Sequence, residues 1–175
     1  MLVVFGGLPG TGKSTLAQQV ADRLGATYLR IDTIEQALRS SLALADDVGP
    51  AGYVIAYAIC ATNLTLGRAV VADCVNPLPV TRAAWREVAT RTASPIVEIE
   101  VICSDEAEHR RRVESREIDI PGLIPPTWAA VVARDYEPWS EPRMVVDTAN
   151  TTTTEAVLAI VNVIKRRSSG PSNGS

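Results

Sequence analysis

Gly7-Leu8-Pro9-Gly10-Thr11-Gly12-Lys13-Ser14 is the stretch on which the reading of this chain turns. It has the spacing GxxxxGK[ST], follows the apolar run Leu2-Val3-Val4-Phe5-Gly6 directly, and opens onto an amphipathic segment from Lys13 to Leu24. That setting of strand, loop and helix gives each residue type a physical task. Glycines let successive backbone N–H groups turn inward around phosphate oxygens, where side chains would block the approach. The positive end of the following helix points at the same anion. Lys13 reaches the β- and γ-phosphates, and the Ser14 hydroxyl is placed to join the coordination of Mg2+.

Outward from this loop, short β-branched runs alternate with longer helical stretches. Strands are expected at residues 2–6, 27–31, 69–74, 96–102 and 144–147, and helices at 13–24, 33–44, 53–66, 79–92, 105–117, 126–136 and 153–167. The alternation predicts an α/β fold of parallel strands joined by crossover helices, with a sheet covered on both faces. Gly25 and Gly67 stand where a left-handed residue ends a helix, and Thr152 with Glu155 makes a capping box for the last one. Segments 46–52 and 118–126 interrupt the pattern and are expected to be mobile loops near a substrate. Residues 1–167 read as one domain, and the low-complexity end, 168–175, as a disordered tail.

Composition agrees with a single domain: 175 residues, 46% hydrophobic and 21% charged, place the chain among ordinary globular proteins. Aromatics are 5%, so Val, Ile, Leu and Ala must build the core. Seventeen basic against twenty acidic side chains give a charge of −3, which argues against a general nucleic-acid surface and favours a small-molecule partner. Cys60, Cys74 and Cys103 show no CxxC spacing and His109 is the single histidine, so neither a disulfide framework nor a zinc site is expected. No apolar run approaches the ~18 residues of a membrane span, and no signal peptide is visible. A cytoplasmic protein is expected.

Ligands of open α/β sheets bind beyond the carboxyl ends of the strands, which directs attention to the polar residues there. Asp32 follows Tyr28-Leu29-Arg30-Ile31 and stands beside the phosphate loop, where its carboxylate can take the proton of a hydroxyl attacking the γ-phosphate. Asp32 with Glu35 is also a helix N-terminus signature, so capping is the competing reading. Asp73 closes the apolar run Ala69-Val70-Val71-Ala72 and reads either as a carboxylate that holds Mg2+ or as the start of a turn. Arg112 and Arg116 fall four apart on one expected helix face, suited to cover a nucleobase and to bond the transferring phosphate. A solvated face of Glu–Arg pairs is the alternative. The Pro-Gly segment at about 117–127 is expected to be a lid, and acceptor contacts to come from 39–57, with Arg39 and Tyr53 as candidates. Arg82 and His109 read as surface helical residues; Trp128, Tyr136 and Trp139 as packing the helix after the lid; Cys74 as a small buried side chain.

Taken together, GLPGTGKST (7–15), the helix start at Asp32, VVADCVNP (70–77), HRRRVESR (109–116) and PPTW…RDYEPW (125–139) resemble the small bacterial P-loop kinases. That group, often labelled AAA-family ATPase or predicted kinase, is similar to chloramphenicol phosphotransferase, adenylylsulfate kinase, gluconate kinase and the kinase domain of polynucleotide kinase. The resemblance implies an adenylate-kinase-like α/β/α architecture with strand order 2-3-1-4-5. It implies ATP and Mg2+ as cofactors, with ATP held by Gly7, Leu8, Pro9, Gly10, Thr11, Gly12, Lys13, Ser14, Thr15 and, on the adenine side, Arg112. Asp32 becomes the base and Arg116 the lid arginine. The implied activity is transfer of the γ-phosphate to a hydroxyl of a small molecule, by a monomer or homodimer. A polynucleotide 5′-hydroxyl kinase and a non-catalytic nucleotide-binding regulator are the alternatives. One departure is visible: adenylylsulfate and polynucleotide kinases carry an arginine shortly after the base, whereas here Glu35 follows Asp32 and the first arginine is Arg39.

Overall fold

The computed structural model describes residues 1–41, 48–117 and 119–168. Its strands are β1 (Leu2–Gly6), β2 (Thr27–Arg30), β3 (Val70–Asp73), β4 (Ile96–Ile102) and β5 (Met144–Asp147). They form one parallel sheet in the order β2-β3-β1-β4-β5, as the resemblance implied. The helices are α1 (Lys13–Leu24), α2 (Ile31–Ser40), α3 (Ala51–Thr65), α4 (Pro79–Arg91), α5 (Glu106–Glu114), α6 (Trp128–Val132) and α7 (Thr153–Ser168). Strand β1 is central, with Leu2 level with Val70 of β3 and Ile96 of β4. Its successive side chains point to opposite faces and all five residues are buried. On one face Val3, Phe5, Ile99 and Val101 meet Leu16 and Val20 of α1 and Val157 and Ile160 of α7. On the other, Leu2, Val4 and Ala72 meet Cys60 and Leu64 of α3 and Trp85 and Val88 of α4. Helices on both faces bury the central strands β1 and β3 completely, hence their apolar runs, while Val145 of edge strand β5 stays exposed. Truncating a side chain such as Phe5 to alanine in that core costs about 3–5 kcal/mol.

Strand β4 breaks the apolar rule with Glu98 and Glu100, both buried. Buried carboxylates need partners, and here arginines supply them: Arg86 of α4 donates to Glu98 at 2.8 Å, and Arg143 to Glu100 at 2.7 Å. The chain from 136 to 143 covers this part of the sheet in place of a helix. Tyr136 donates its hydroxyl to Glu100, Trp139 Nε1 donates to Tyr136, and Trp139 is itself buried.

Several expected boundaries move. The second helix starts at Ile31 rather than 33, with Arg30 in the N-cap position and no side-chain cap, so Asp32 lies inside the first turn and is not the cap. An acidic residue there still suits the helix dipole. The helix expected at 105–117 stops at Glu114 because the Ser115 hydroxyl donates back to the Arg111 carbonyl at 2.7 Å. The one expected at 126–136 is only α6, capped by Thr127, whose hydroxyl accepts from the Ala130 amide. Pro138 disfavours helix at Glu137, whose amide donates to the Pro77 carbonyl. Residues 42–44 of the expected second helix, Asp46 and Asp47 of the first loop, Ile118 and the tail beyond Ser168 lie outside the described residues. Gly25 ends α1 at φ 57°, and Thr152 and Glu155 exchange the capping-box hydrogen bonds. Among the described residues no helix is long and apolar enough to cross a membrane.

Candidate active site

The phosphate loop lies at the carboxyl end of β1, where α1 begins. Gly12 caps α1 with φ 86° and has no side chain, so nothing covers the first-turn N–H groups. These face a basin of about 340 Å³ whose lining includes Gly10, Gly12, Lys13, Ser14 and Thr15. Lys13 is buried apart from its access to this basin. One local and one tertiary hydrogen bond hold the loop. Thr11 donates its hydroxyl to the Leu8 carbonyl at 2.9 Å, and Thr148, just beyond β5, donates to the Thr11 carbonyl at 2.9 Å. Gly10, at φ 86°, is pressed against α5: a Cβ there would sit 2.4 Å from Val113 Cγ2 and 3.2 Å from His109 Cδ2. His109 is not a surface residue. It is 7% exposed, its Nε2–H tautomer donates to the Pro9 carbonyl at 2.8 Å, and its ring meets Trp128 edge-on at 5.1 Å.

Arg112 lines the same basin, with its guanidinium plane fixed. Nη1 donates to Thr148 Oγ1 at 2.8 Å, Nη2 to the Thr148 carbonyl at 3.2 Å and Nε to Glu108 at 2.7 Å. Arg116 reaches the basin by a different route from the one expected, from the chain just past the end of α5 rather than from the face that carries Arg112.

Asp73 is buried at the end of β3. Tyr28 donates its hydroxyl to Asp73 Oδ2 at 2.7 Å, and Arg30 Nε lies 3.7 Å from the same oxygen. Burial and then the Asp73 charge push the Tyr28 hydroxyl well above its ordinary pKa, so it stays a donor. Asp73 Oδ1 is buried without a hydrogen-bond partner. A carboxylate oxygen of this kind and the Ser14 hydroxyl, which lines the basin, are each hard oxygen donors of the type a divalent cation takes. Arg30 Nη1 also donates to Asp119 at 2.6 Å, tying the segment after α5 to the end of β2.

A second, larger cavity of about 580 Å³ adjoins the basin. Asp32, Arg39 and Tyr53 all line it, so the structure brings the three expected acceptor-side residues together. The segment after α5 forms its opposite wall through Gly122, Leu123, Ile124 and Pro126. Gly122 lies so close to α2 that an added Cβ would be 2.9 Å from Gln36 Nε2. Tyr53 accepts from the Asn76 amide at 2.9 Å, which joins the cavity wall to the β3–α4 loop. Arg116 alone, among the described residues, lines both the basin and the cavity.

Other residues here escape a reading of the sequence. Glu35 lines the cavity and accepts from Arg39 at 3.1 Å; burial raises its pKa, and the Arg39 hydrogen bond opposes the rise. Arg134 lines the far wall. Arg30 had one visible signal, a charge inside a buried strand, which always calls for a partner. Arg82, expected on the surface, is fully buried. It donates to the carbonyls of Asn76, Pro77, Glu137 and Pro138, and its Cζ stacks 4.4 Å from the Trp139 ring centre. Trp139 and Tyr136 therefore pack through Arg82 and Glu100 rather than as part of a helix. Cys74 is buried as expected.

The family profile of an AAA domain, AAA_33, matches residues 2–120. The chain belongs to this family. A curated relative, the uncharacterized protein Rv2004c of Mycobacterium tuberculosis, is 36% identical over 109 residues, a stretch that is 55% of this chain and 22% of the relative. The chain thus spans about a fifth of the curated relatives it matches. Among solved structures, Kti12 of Chaetomium thermophilum in complex with ADP-AlF3 is similar, with TM-score 0.71, 20% identity, and coverage of 95% of this chain and 98% of that one. A sugar kinase from Janibacter sp. HTCC2649 gives TM-score 0.69 at 18% identity, covering 94% of each chain. The Mycobacterium tuberculosis APS kinase CysC, solved with AMPPNP and APS, gives 0.66 at 20%, covering 94% and 96%. At these identities the likeness establishes the fold, that of the small P-loop kinases.

Proposed function

We propose that this chain is an ATP-dependent kinase that transfers the γ-phosphate to a hydroxyl of a small molecule. The observation that carries the reading is the meeting of the phosphate basin and the acceptor cavity at Arg116. In this reading Gly7 to Thr15 wrap the phosphates of ATP, Lys13 neutralises β- and γ-oxygens, and Arg112 covers the adenine. Asp32 orients the acceptor hydroxyl and takes its proton as the oxygen attacks the γ-phosphorus. The bond from that phosphorus to the β,γ-bridging oxygen breaks, and ADP leaves. Arg116, placed between donor and acceptor, stabilises the charge on the transferring group. Ser14 and Asp73, through its unpartnered Oδ1, would hold Mg2+. Bound there, the ion supplies neutralisation of the β- and γ-phosphate charge. The segment at about 117–127, whose Asp119 lines the basin and whose Gly122, Leu123, Ile124 and Pro126 line the cavity, serves as the lid that excludes competing water. The whole of residues 1–167 then works as one kinase domain, in the cytoplasm, as a monomer or homodimer.

The test is ADP formation from Mg-ATP with a panel of small hydroxyl compounds and a 5′-hydroxyl oligonucleotide, Lys13→Ala serving as the blank. Stimulation by a small alcohol, lost by about 100-fold or more in Asp32→Ala at unchanged ATP affinity, supports the reading. Stimulation by the oligonucleotide alone replaces it with a polynucleotide kinase. Unstimulated ATP binding, with Asp32→Ala inert in every assay, replaces it with a nucleotide-dependent regulator.

A further inference from the structure

The charges that line the acceptor cavity narrow the class of acceptor, and this step rests on the kinase reading of the same site. Five charged side chains take part: Asp32, Glu35, Arg39, Arg116 and Arg134. Glu35 and Arg39 neutralise each other one helical turn apart on α2, at 3.1 Å. Arg116 borders the phosphate basin, whose occupant brings negative charge of its own. Asp32 faces the reacting hydroxyl. Arg134 is left over. It follows directly on the last residue of the α6 cap and is exposed, its backbone amide donates to the Val131 carbonyl, and its charge reaches Glu35 across the cavity, though it makes no close ion pair among the described residues. The sequence carries no arginine shortly after Asp32, and Arg39 is occupied by Glu35. Away from the phosphate basin, the cation of the cavity without a close ion pair among the described residues therefore comes from the opposite wall, about a hundred residues further along the chain.

Much of the remaining lining is apolar: Ile31, Val75, Pro77, Leu123, Ile124 and Pro126. Ile124 is 87% exposed, an apolar side chain at a cavity wall left to solvent. A planar guanidinium presents parallel N–H donors that match a carboxylate. A cationic acceptor would meet like charge there, and a neutral polyol would leave the apolar wall against water. We propose that the acceptor is a hydroxy acid, with its carboxylate on Arg134, its apolar body against Leu123 and Ile124, and its hydroxyl at Asp32. The volume of about 580 Å³ suits a molecule of drug-like size.

Three alcohols of one shape test this: 4-(hydroxymethyl)benzoate, 4-(hydroxymethyl)benzamide and 4-(hydroxymethyl)benzylamine, which are anionic, neutral and cationic. Binding is measured by calorimetry in the presence of a non-hydrolysable ATP analogue, and transfer by ADP formation, for the wild type, Arg134→Gln and Arg134→Lys. The benzoate should bind roughly 10- to 100-fold more tightly than the benzamide, with the benzylamine weakest. Arg134→Gln should erase the difference, Arg134→Lys should restore part of it, and nucleotide affinity should stay within about 2-fold. Equal or better binding of the benzamide or benzylamine, an acid preference that survives Arg134→Gln, or no binding of the benzoate at millimolar concentration overturns the proposal. Arg134-dependent binding of the benzoate without ADP formation keeps the anion site and removes the kinase reading. Transfer to the neutral or cationic alcohol alone does the reverse.

Discussion

Arg82 donates from a fully buried guanidinium to four backbone carbonyls, two in the loop after β3 and two in the segment that covers β4. Replacing it with methionine keeps the stem and removes the fork. The Asn76 carbonyl, on a residue with no exposure, loses its Arg82 Nε donor at 3.1 Å, a penalty of ~1–3 kcal/mol. Pro77 keeps the Glu137 amide as a donor, while Glu137 and Pro138 belong to exposed chain and can turn to water, so their bonds count for ~1 kcal/mol each. Loss of the cation–π contact with Trp139 adds ~0.5–2 kcal/mol. Together these predict a loss of about 5 kcal/mol, and for a chain of this size a fall in Tm of roughly 10–20 °C. Thermal and urea unfolding followed by circular dichroism measure it. Arg82→Lys, with charge but no fork, should lose about half as much. Because Pro77 lines the acceptor cavity, Arg82→Lys should also raise the acceptor KM at temperatures where it is folded, with ATP affinity unchanged. Melting of Arg82→Met within about 3 °C of the wild type would refute the argument, since the segment from 137 would then be held by something other than Arg82.

Gly10→Ala should weaken ATP binding by about 10-fold or more, because a left-handed alanine costs ~1–2 kcal/mol and its Cβ meets Val113; adding Val113→Ala should recover part of the loss in a nucleotide titration. Thr148→Val removes a donor to the Thr11 carbonyl and an acceptor for Arg112, and should raise the nucleotide Kd roughly 5- to 10-fold, read by fluorescence titration. Asp147 is held down to about 2 by hydrogen bonds from the Ser104 hydroxyl and amide, with further donors from Ala149 and Asn150. Its folded pKa lies below its unfolded one, so the stability it contributes is full above about pH 4 and lost as pH falls toward 2. Urea midpoints across that interval should fall less steeply in Asp147→Asn than in the wild type.

What the linear chain discloses, it discloses through local rules. The loop from Gly7 to Ser14 is legible because its glycines, its lysine and its place between an apolar run and a helix are all neighbours in sequence. Strand and helix positions follow from periodicity for the same reason, and the ends that moved did so where a non-local or side-chain partner intervened, as Ser115 did on α5 and the Pro77 carbonyl on the segment after α6. Asp32 could be placed beside the loop from its position after β2, but only the observed helix start removed the capping alternative. Arg82 and His109 were misread as solvated because a helical charge reads the same whether water or a distant carbonyl is its partner.

The sequence by itself thus determined the order of elements, the phosphate loop and the acids at the strand ends, since backbone conformation and amphipathic spacing are properties of residues within a few positions of one another. Tertiary structure alone decided which charges meet. Arg30 finds Asp119 across 89 residues, Arg82 finds Pro138 across 56, and Arg112 finds Thr148 across 36. A buried charge must be paired, but which residue pairs with it depends on how the layers pack, and no local rule contains that.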